Sequence, residues 1–240
     1  MNENNILISI VVPCYNEASC IGANLLKAKK ISSLHPIEFI FVDNGSTDGT
    51  AKILNKGIIS KLSKKIQFIK IDHNQGYGYG IKKGLALAKG RFLGWTHGDG
   101  QADLEDLFKA VEVIESDPSV GIVKGMREGR VLSERFFSKS LSLMSTLLFT
   151  CHLRELNAQP SIYSKSLLPD FACLADNLNF DIDVYVYAKL SKGLESRFPV
   201  NFKDREFGTS SWNKGLLSKF PFIFFVFCHL LLLRLRVWQN

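Results

Sequence analysis

Four short runs along the chain, residues 6–12, 37–42, 66–71 and 91–95, are apolar and rich in β-branched and aromatic side chains, with little alternation between apolar and polar positions. Runs of this kind predict strands covered on both faces, as in a parallel sheet. A helical pattern resumes at Ala51 after the second run and covers 81–88 after the third. Strands alternating with helices predict βαβ units. Further on, 120–124 reads as another strand, 141–149 and 184–190 as apolar helices, and 198–205 as a strand leading into a mobile loop over 206–213.

The strands end in polar turns: Pro13-Cys14-Tyr15-Asn16-Glu17 after the first, Asp43-Asn44-Gly45-Ser46-Thr47-Asp48-Gly49-Thr50 after the second, and Thr96-His97-Gly98-Asp99-Gly100-Gln101 after the fourth. Ligands of open α/β sheets bind outside the carboxyl ends of the strands, so a carboxylate such as Asp99, directly beyond an apolar strand, stands where a cation and phosphates are held. A Gly-Asp-Gly turn is also ordinary punctuation between strand and helix. Ser46, Thr47 and Asp48 read as helix caps rather than ligands. Gly76-Tyr77-Gly78-Tyr79-Gly80 invites comparison with a phosphate cradle, but no dinucleotide fold follows without an acidic partner about twenty residues on. Tyr77 and Tyr79 stack or fill the surface on this reading, and Lys82 and Lys83 form a solvated face.

Taken in order, Val12-Pro13-Cys14-Tyr15-Asn16-Glu17, Val42-Asp43-Asn44-Gly45-Ser46-Thr47-Asp48-Gly49-Thr50, Asn74-Gln75-Gly76 with Gly80, Gly84 and Ala88, and His97-Gly98-Asp99-Gly100-Gln101 resemble a family 2 glycosyltransferase of the GT-A fold. The branch that fits is that of the dolichol-phosphate mannosyltransferases and polyprenyl-phosphate glycosyltransferases. The resemblance implies an α/β, Rossmann-like, mostly parallel central sheet flanked by helices. It also implies an inverting transferase that moves a sugar from a nucleotide-diphosphate sugar, UDP favoured over GDP, to a polyprenyl phosphate or a membrane-associated glycan in surface polysaccharide or glycoconjugate synthesis.

Site roles follow from the same resemblance. Pro13, Tyr15, Glu17, Asp43 and Asn44 are expected at the base and ribose of the donor, although Glu17 also suits the first turn of a helix. Asn44 stands where many relatives carry a second Asp, and its amide offers both a donor and an acceptor. Asp99, with Gln101 and His97, is expected to hold Mn²⁺, or Mg²⁺, between protein and diphosphate; His97 replaces the first Asp of the usual motif, and imidazole suits manganese better than magnesium. A turn histidine that never touches metal is the alternative. Arg127, Arg130 and Arg135 are candidates for the acceptor phosphate, or a solvated basic face. Leu156-Asn157-Ala158-Gln159-Pro160 departs from the segment usual in the mannosyltransferases. Asp181 or Asp183 is the candidate base if the acceptor is a hydroxyl, and otherwise a cap. Arg205, with Ser210 or Ser211, is expected over the pyrophosphate. The departures at Asn44, His97 and Ser211 motivate a rival in which a weak or inactive domain serves as a membrane-associated binding or scaffold subunit.

Composition adds less. A formal charge of +7 and a pI near 9.1 point to an anionic partner, but no interleaved basic and aromatic array suggests nucleic acid. Five cysteines without a C-x-x-C pair favour a reducing, cytoplasmic setting. No signal peptide is evident. The apolar stretch 220–233, followed by Arg234, Arg236 and Trp238, is short for a spanning helix and suits a membrane interface. The expected organisation is therefore residues 1–213 as the transferase domain and 214–240 as an apolar helix lying peripherally at the inner face of the membrane. A core or dimer contact is the alternative for this helix, so a homo-oligomer is open.

Overall fold

The computed structural model describes residues 6–59, 63–127, 132–201 and 219–239. Seven strands form one sheet: β1 (Ile8–Cys14), β2 (Ile37–Asn44), β3 (Ile66–Ile71), β4 (Phe92–Trp95), β5 (Val120–Arg127), β6 (Ser161–Ser164) and β7 (Leu194–Val200), in the order β3-β2-β1-β4-β6-β5-β7. All neighbours pair in parallel except β6, which runs antiparallel to both β4 and β5. β1 and β2 are buried along almost their whole length, as runs without alternation require when both faces are covered.

Two apolar clusters account for this burial, one on each face. Alternate residues of β1, Ile8, Ile10, Val12 and Cys14, join α1 (Ile21–Leu34), Leu54 of α2 (Thr50–Ile59) and α4 (Leu107–Ser116). Val11, with Ile40 and Val42 of β2, points the other way, toward α3 (Tyr77–Leu85), α5 (Leu132–Phe149), α6 (Phe180–Leu190) and α7 (Lys219–Gln239). Close layering needs Gly84 in α3, because a Cβ there would stand 2.5 Å from Val11 Cγ1.

Several boundaries differ from the sequence pattern. α3 starts at Tyr77 and takes in the glycine run. Lys82 on it is not simply solvated: its Nζ lies 2.6 Å from Asp176 Oδ1 and donates to Leu174 O at 3.1 Å. β6, absent from the pattern, is the reversed strand. The boundary expected near residue 213, and the loop with Arg205, Ser210 and Ser211, lie outside the described residues. α7 is integral to the second cluster, with Val226, Leu230 and Leu233 buried in it and Phe224, Phe225, Leu232, Leu235 and Trp238 exposed. Among the described residues no helix is long and apolar enough to cross a membrane.

Candidate active site

Strand direction gathers the candidate residues on one edge. β1, β2, β4 and β5 all point their carboxyl ends the same way, and β6, reversed, begins at that edge. The strand order turns at the β1–β4 pair, from which β2 and β3 extend to one side and the later strands to the other. The crevice beyond such a switch point is where open α/β sheets bind ligands. The loop after β1 forms one wall and the loop after β4 the other. They are tied together by Asn24 Nδ2 and Cys20 Sγ, which donate to Gly98 O at 2.9 and 3.3 Å.

The β1 and β2 loops are stitched by short-range polar bonds. Ser46 Oγ accepts from Asn16 N at 2.9 Å, Asn16 Oδ1 accepts from Thr47 N at 2.9 Å, and Asp48 Oδ2 accepts from Ala18 N at 3.1 Å. Asp48 also serves α2 as expected of a cap, its Oδ1 accepting from Thr50 N at 2.9 Å, whereas Ser46 and Thr47 act in these bonds as cross-links between the loops. Glu17 precedes α1 rather than opening it, and its backbone N–H donates to Thr50 Oγ1 at 2.8 Å. Tyr15 is exposed beside it, and Pro13 is half-buried at the end of β1.

Asp43 and Asn44 close β2 and are both buried. Asp43 Oδ1 accepts from Ser46 N at 3.1 Å, while Asn44 Nδ2 donates to Gly76 O at 2.8 Å. Asp43 Oδ2 and Asn44 Oδ1 are covered and have no partner among the described residues. Successive strand residues point to opposite faces, and the Asn44 amide lies against Gly80 of α3, so each of the two orphaned acceptors is a separate place where a donor would offset the cost of burial.

Across the crevice, Asp99 Oδ1 accepts from Gln101 N at 3.1 Å. The His97 ring lies 6.1 Å, centroid to centroid, from that of Tyr77. Asp99 offers a carboxylate, His97 an imidazole and Gln101 an amide oxygen, but among the described residues no three His, Cys, Asp or Glu side chains form a group able to hold an ion. That donor set fits a divalent cation taking its remaining ligands from a diphosphate, and does not fit an all-protein cage.

The floor of the site is a buried polar network. Asp181, in the first turn of α6, accepts from the Trp95 indole N–H through Oδ1 and from Gln159 Nε2 at 3.1 Å through Oδ2. The Gln159 amide also donates to the Tyr77 hydroxyl. Burial pushes the Asp181 carboxyl up from its ordinary value, opposed by the charges of Lys124 and His97 and by these hydrogen bonds. Burial, then the charge of Asp181, raises the Tyr77 phenol. Asp183 faces elsewhere: Oδ2 accepts from Ala175 N at 2.8 Å and Oδ1 lies 2.5 Å from His229 Nε2 of α7.

Arg127 ends β5 on the same edge, donating from Nη2 to Asn157 O at 2.9 Å, and its charge acts on Tyr77. Arg130 lies outside the described residues, and Arg135 is carried on α5. Trp95, Gln159, Lys124 and His229 are participants to which sequence reasoning gave no role in the site. A lysine in the middle of an apolar strand was a readable signal for Lys124. A separate cavity of about 840 Å³ opens at the opposite edge, where the carboxylate lining it, Glu38, is already bonded to Ser9 Oγ and Lys89 N.

Residues 9–161 match the family described as glycosyl transferase family 2. The chain is 28% identical over 159 residues to a dolichyl-phosphate beta-glucosyltransferase of Dictyostelium discoideum, covering 62% of this chain and 48% of the relative. It is 25% identical over 210 residues to a dodecaprenyl-phosphate galacturonate synthase of Rhizobium johnstonii, covering 85% and 61%. The chain thus spans about half of the first of these relatives and less than two thirds of the second. In fold it is similar to glucosyl-3-phosphoglycerate synthase from Mycobacterium tuberculosis, solved with Mn²⁺, UDP and glucosyl-3-phosphoglycerate, with a TM-score of 0.68 at 19% identity over 95% of this chain and 79% of that one. Mannosyl-3-phosphoglycerate synthase from Rubrobacter xylanophilus gives 0.69 at 14% identity, covering 93% and 73%.

Proposed function

Because the chain belongs to glycosyl transferase family 2, we propose that it is an inverting glycosyltransferase using a nucleotide-diphosphate sugar, with a polyprenyl phosphate or a membrane-associated glycan as acceptor. The observation that carries this reading is the crevice at the switch point of the strand order, with Asp43 and Asn44 at the carboxyl end of β2 and Asp99 with His97 in the loop after β4. Asp43 and Asn44 receive donors from the base or ribose, with Pro13, Tyr15 and Glu17 completing that wall and UDP favoured over GDP. Asp99, with Gln101 and His97, holds Mn²⁺ or Mg²⁺ against the diphosphate. A cation held there would supply positive charge to stabilise the departing diphosphate.

In the reaction an acceptor oxygen attacks the anomeric carbon from the face opposite the diphosphate. A new C–O bond forms as the bond to the diphosphate oxygen breaks, and the nucleotide leaves with that electron pair. Arg127, Arg130 and Arg135 hold an acceptor phosphate by paired N–H donors, and Arg205 closes over the pyrophosphate. A phosphate acceptor is already an anion and needs no base, which suits an Asp181 whose oxygens are both engaged by N–H groups. A hydroxyl acceptor would instead call on Asp181 as base; Asp183, the other candidate, is turned to Ala175 and His229 and away from the crevice. The polyprenyl-phosphate acceptors in the relatives' names support the lipid reading. So does the exposed apolar face of α7, with Trp238 and Arg234 near its end, which fits a peripheral position on the cytoplasmic face of a membrane.

Calorimetric titration with UDP, GDP and CMP, each with and without Mn²⁺, tests the donor site on the wild-type protein and on Asp99→Ala. Manganese-dependent binding of one diphosphate, lost in the variant, is the expected result. No binding of any nucleotide under either condition would overturn the reading.

A further inference from the structure

Lys124 lies in the middle of β5 with no solvent exposure. Its Nζ donates to Leu156 O at 3.0 Å, Ser161 Oγ at 2.9 Å and Tyr163 OH at 3.4 Å, and stands 4.5 Å from the centre of the Tyr185 ring. Three acceptors match the three donors of an ammonium, whereas a neutral amine has only two N–H bonds to give. Two of these acceptors, Leu156 and Ser161, flank Gln159, so Lys124 clamps both ends of the segment that carries it.

A buried charge needs a partner. The charged and titratable groups that act on Lys124 are Asp181 of α6, Glu195 and Arg197 of β7, and Arg127 of its own strand. Tyr163 of β6 and Tyr185 of α6 pack against it. Glu195 is already committed to Arg197 at 2.6 Å, Lys189 at 3.5 Å and the Tyr185 hydroxyl at 2.8 Å. Asp181 is thereby left as the counter-charge. Each of its oxygens accepts an N–H bond, from the indole of Trp95 and the amide of Gln159, and with the charge of Lys124 these bonds favour the carboxylate against the burial that raises its pKa.

We propose that Lys124 is a positioning residue for the candidate active site: its buried ammonium is the counter-ion of Asp181, and through that carboxylate and the 156–161 segment it fixes Gln159 and Tyr77 in the floor of the crevice. This rests on the crevice being the active site, but the interaction can be read without any nucleotide. Burial draws the Lys124 amine down to about 7, so the pair is sensitive to pH near neutrality.

Trp95 is the internal reporter. Replacing the other two tryptophans, Trp212→Phe and Trp238→Phe, leaves its indole alone on Asp181. Its fluorescence, titrated between about pH 5.5 and 9, is expected to change with a midpoint near 7, to lose that transition in Lys124→Met, and to move to lower pH in Asp181→Asn, where the ammonium has lost its counter-ion. Asp181→Asn keeps the shape of the side chain and preserves the test should Lys124→Met not fold. A midpoint unmoved by Asp181→Asn, or a transition retained in Lys124→Met and hence belonging to His97 or another group, would overturn the proposal. With the donor sugar, the expected signature of Lys124→Met is a fall in kcat with KM held. Failure of nucleotide binding would instead strike the functional reading and leave the fluorescence result standing.

Discussion

Leu230→Ala tests whether α7 is part of the domain or an appendage to it. Leu230 is fully buried, in one cluster with Phe180, Val184 and Tyr185 of α6 and with Phe149 of α5. Truncation removes three carbons from that contact, roughly 2.4 kcal/mol at about 0.8 kcal/mol per buried methylene-sized group. Whatever cavity fails to collapse adds to this, bringing the expected loss to about 2.5–5 kcal/mol. Helix propensity does not offset it, since Ala and Leu differ little. Leu232→Ala is the control on the same helix, 54% exposed, with an expected change within about 0.5 kcal/mol. Urea unfolding followed by circular dichroism reads both. In a thermal melt the difference is about 5–20 °C, at roughly 2–4 °C per kcal/mol for a domain of this size. Equal stability of the two variants would refute the packing of α7 into the second core.

Gly84→Ala is expected to lower stability by about 1–3 kcal/mol despite a better helix former, because its Cβ meets Val11 at 2.5 Å; Gly22→Ala, whose nearest neighbour is 3.9 Å away, is expected to be neutral or stabilising in the same urea series. Gln159→Ala strips one donor from the buried Asp181 carboxylate and one from Tyr77, costing about 1–3 kcal/mol, and an unfolding midpoint matching wild type would count against the network. Lys124 sets a pH slope: its pKa is about 7 folded against 10.5 in the free side chain, so between those values the unfolded chain holds the extra proton and stability rises with pH, by at most about 1.4 kcal/mol per unit. Lys124→Met is expected to flatten that rise, as read by urea midpoints at pH 7, 8 and 9.

Strand ends were the legible part of this site. Asp43 and Asp99 are found at the carboxyl edge because each directly follows an apolar run, and a parallel sheet sends all such ends the same way. The start of α3 was not legible, since a run of alternating glycines has poor helix propensity, and only the approach of the helix to Val11 and to the 175–176 backbone explains why glycines stand there. β6 was missed because four residues after an irregular stretch carry too few positions to show a period. The polar floor was hidden for another reason. Trp95 and Asp181 are 86 residues apart, His229 and Asp183 are 46, and Gln159 and Asp181 are 22, so these pairs exist only after α6 has crossed the sheet.

Asp181 and Asp183 show how the structure separates what a motif leaves together. Positions two apart on a helix do not share a face, and α6 uses this to turn one carboxylate to the crevice and the other to α7. Asp181 is held by the Trp95 indole and the Gln159 amide and feels the charge of Lys124, all part of the buried floor of the crevice. Asp183 is fully buried and bonded to the 175 backbone and to His229, so its role in this geometry is to hold two elements to the start of α6. A substitution at Asp183 therefore acts on the site through the seating of α6 and should be accompanied by loss of stability. Asp181→Asn keeps its size and one acceptor, so its effect falls on the electrostatics of the crevice. Measuring the two variants side by side, for unfolding and for nucleotide-sugar turnover, separates anchor from site residue: turnover lost in both with stability unchanged in both would contradict that division.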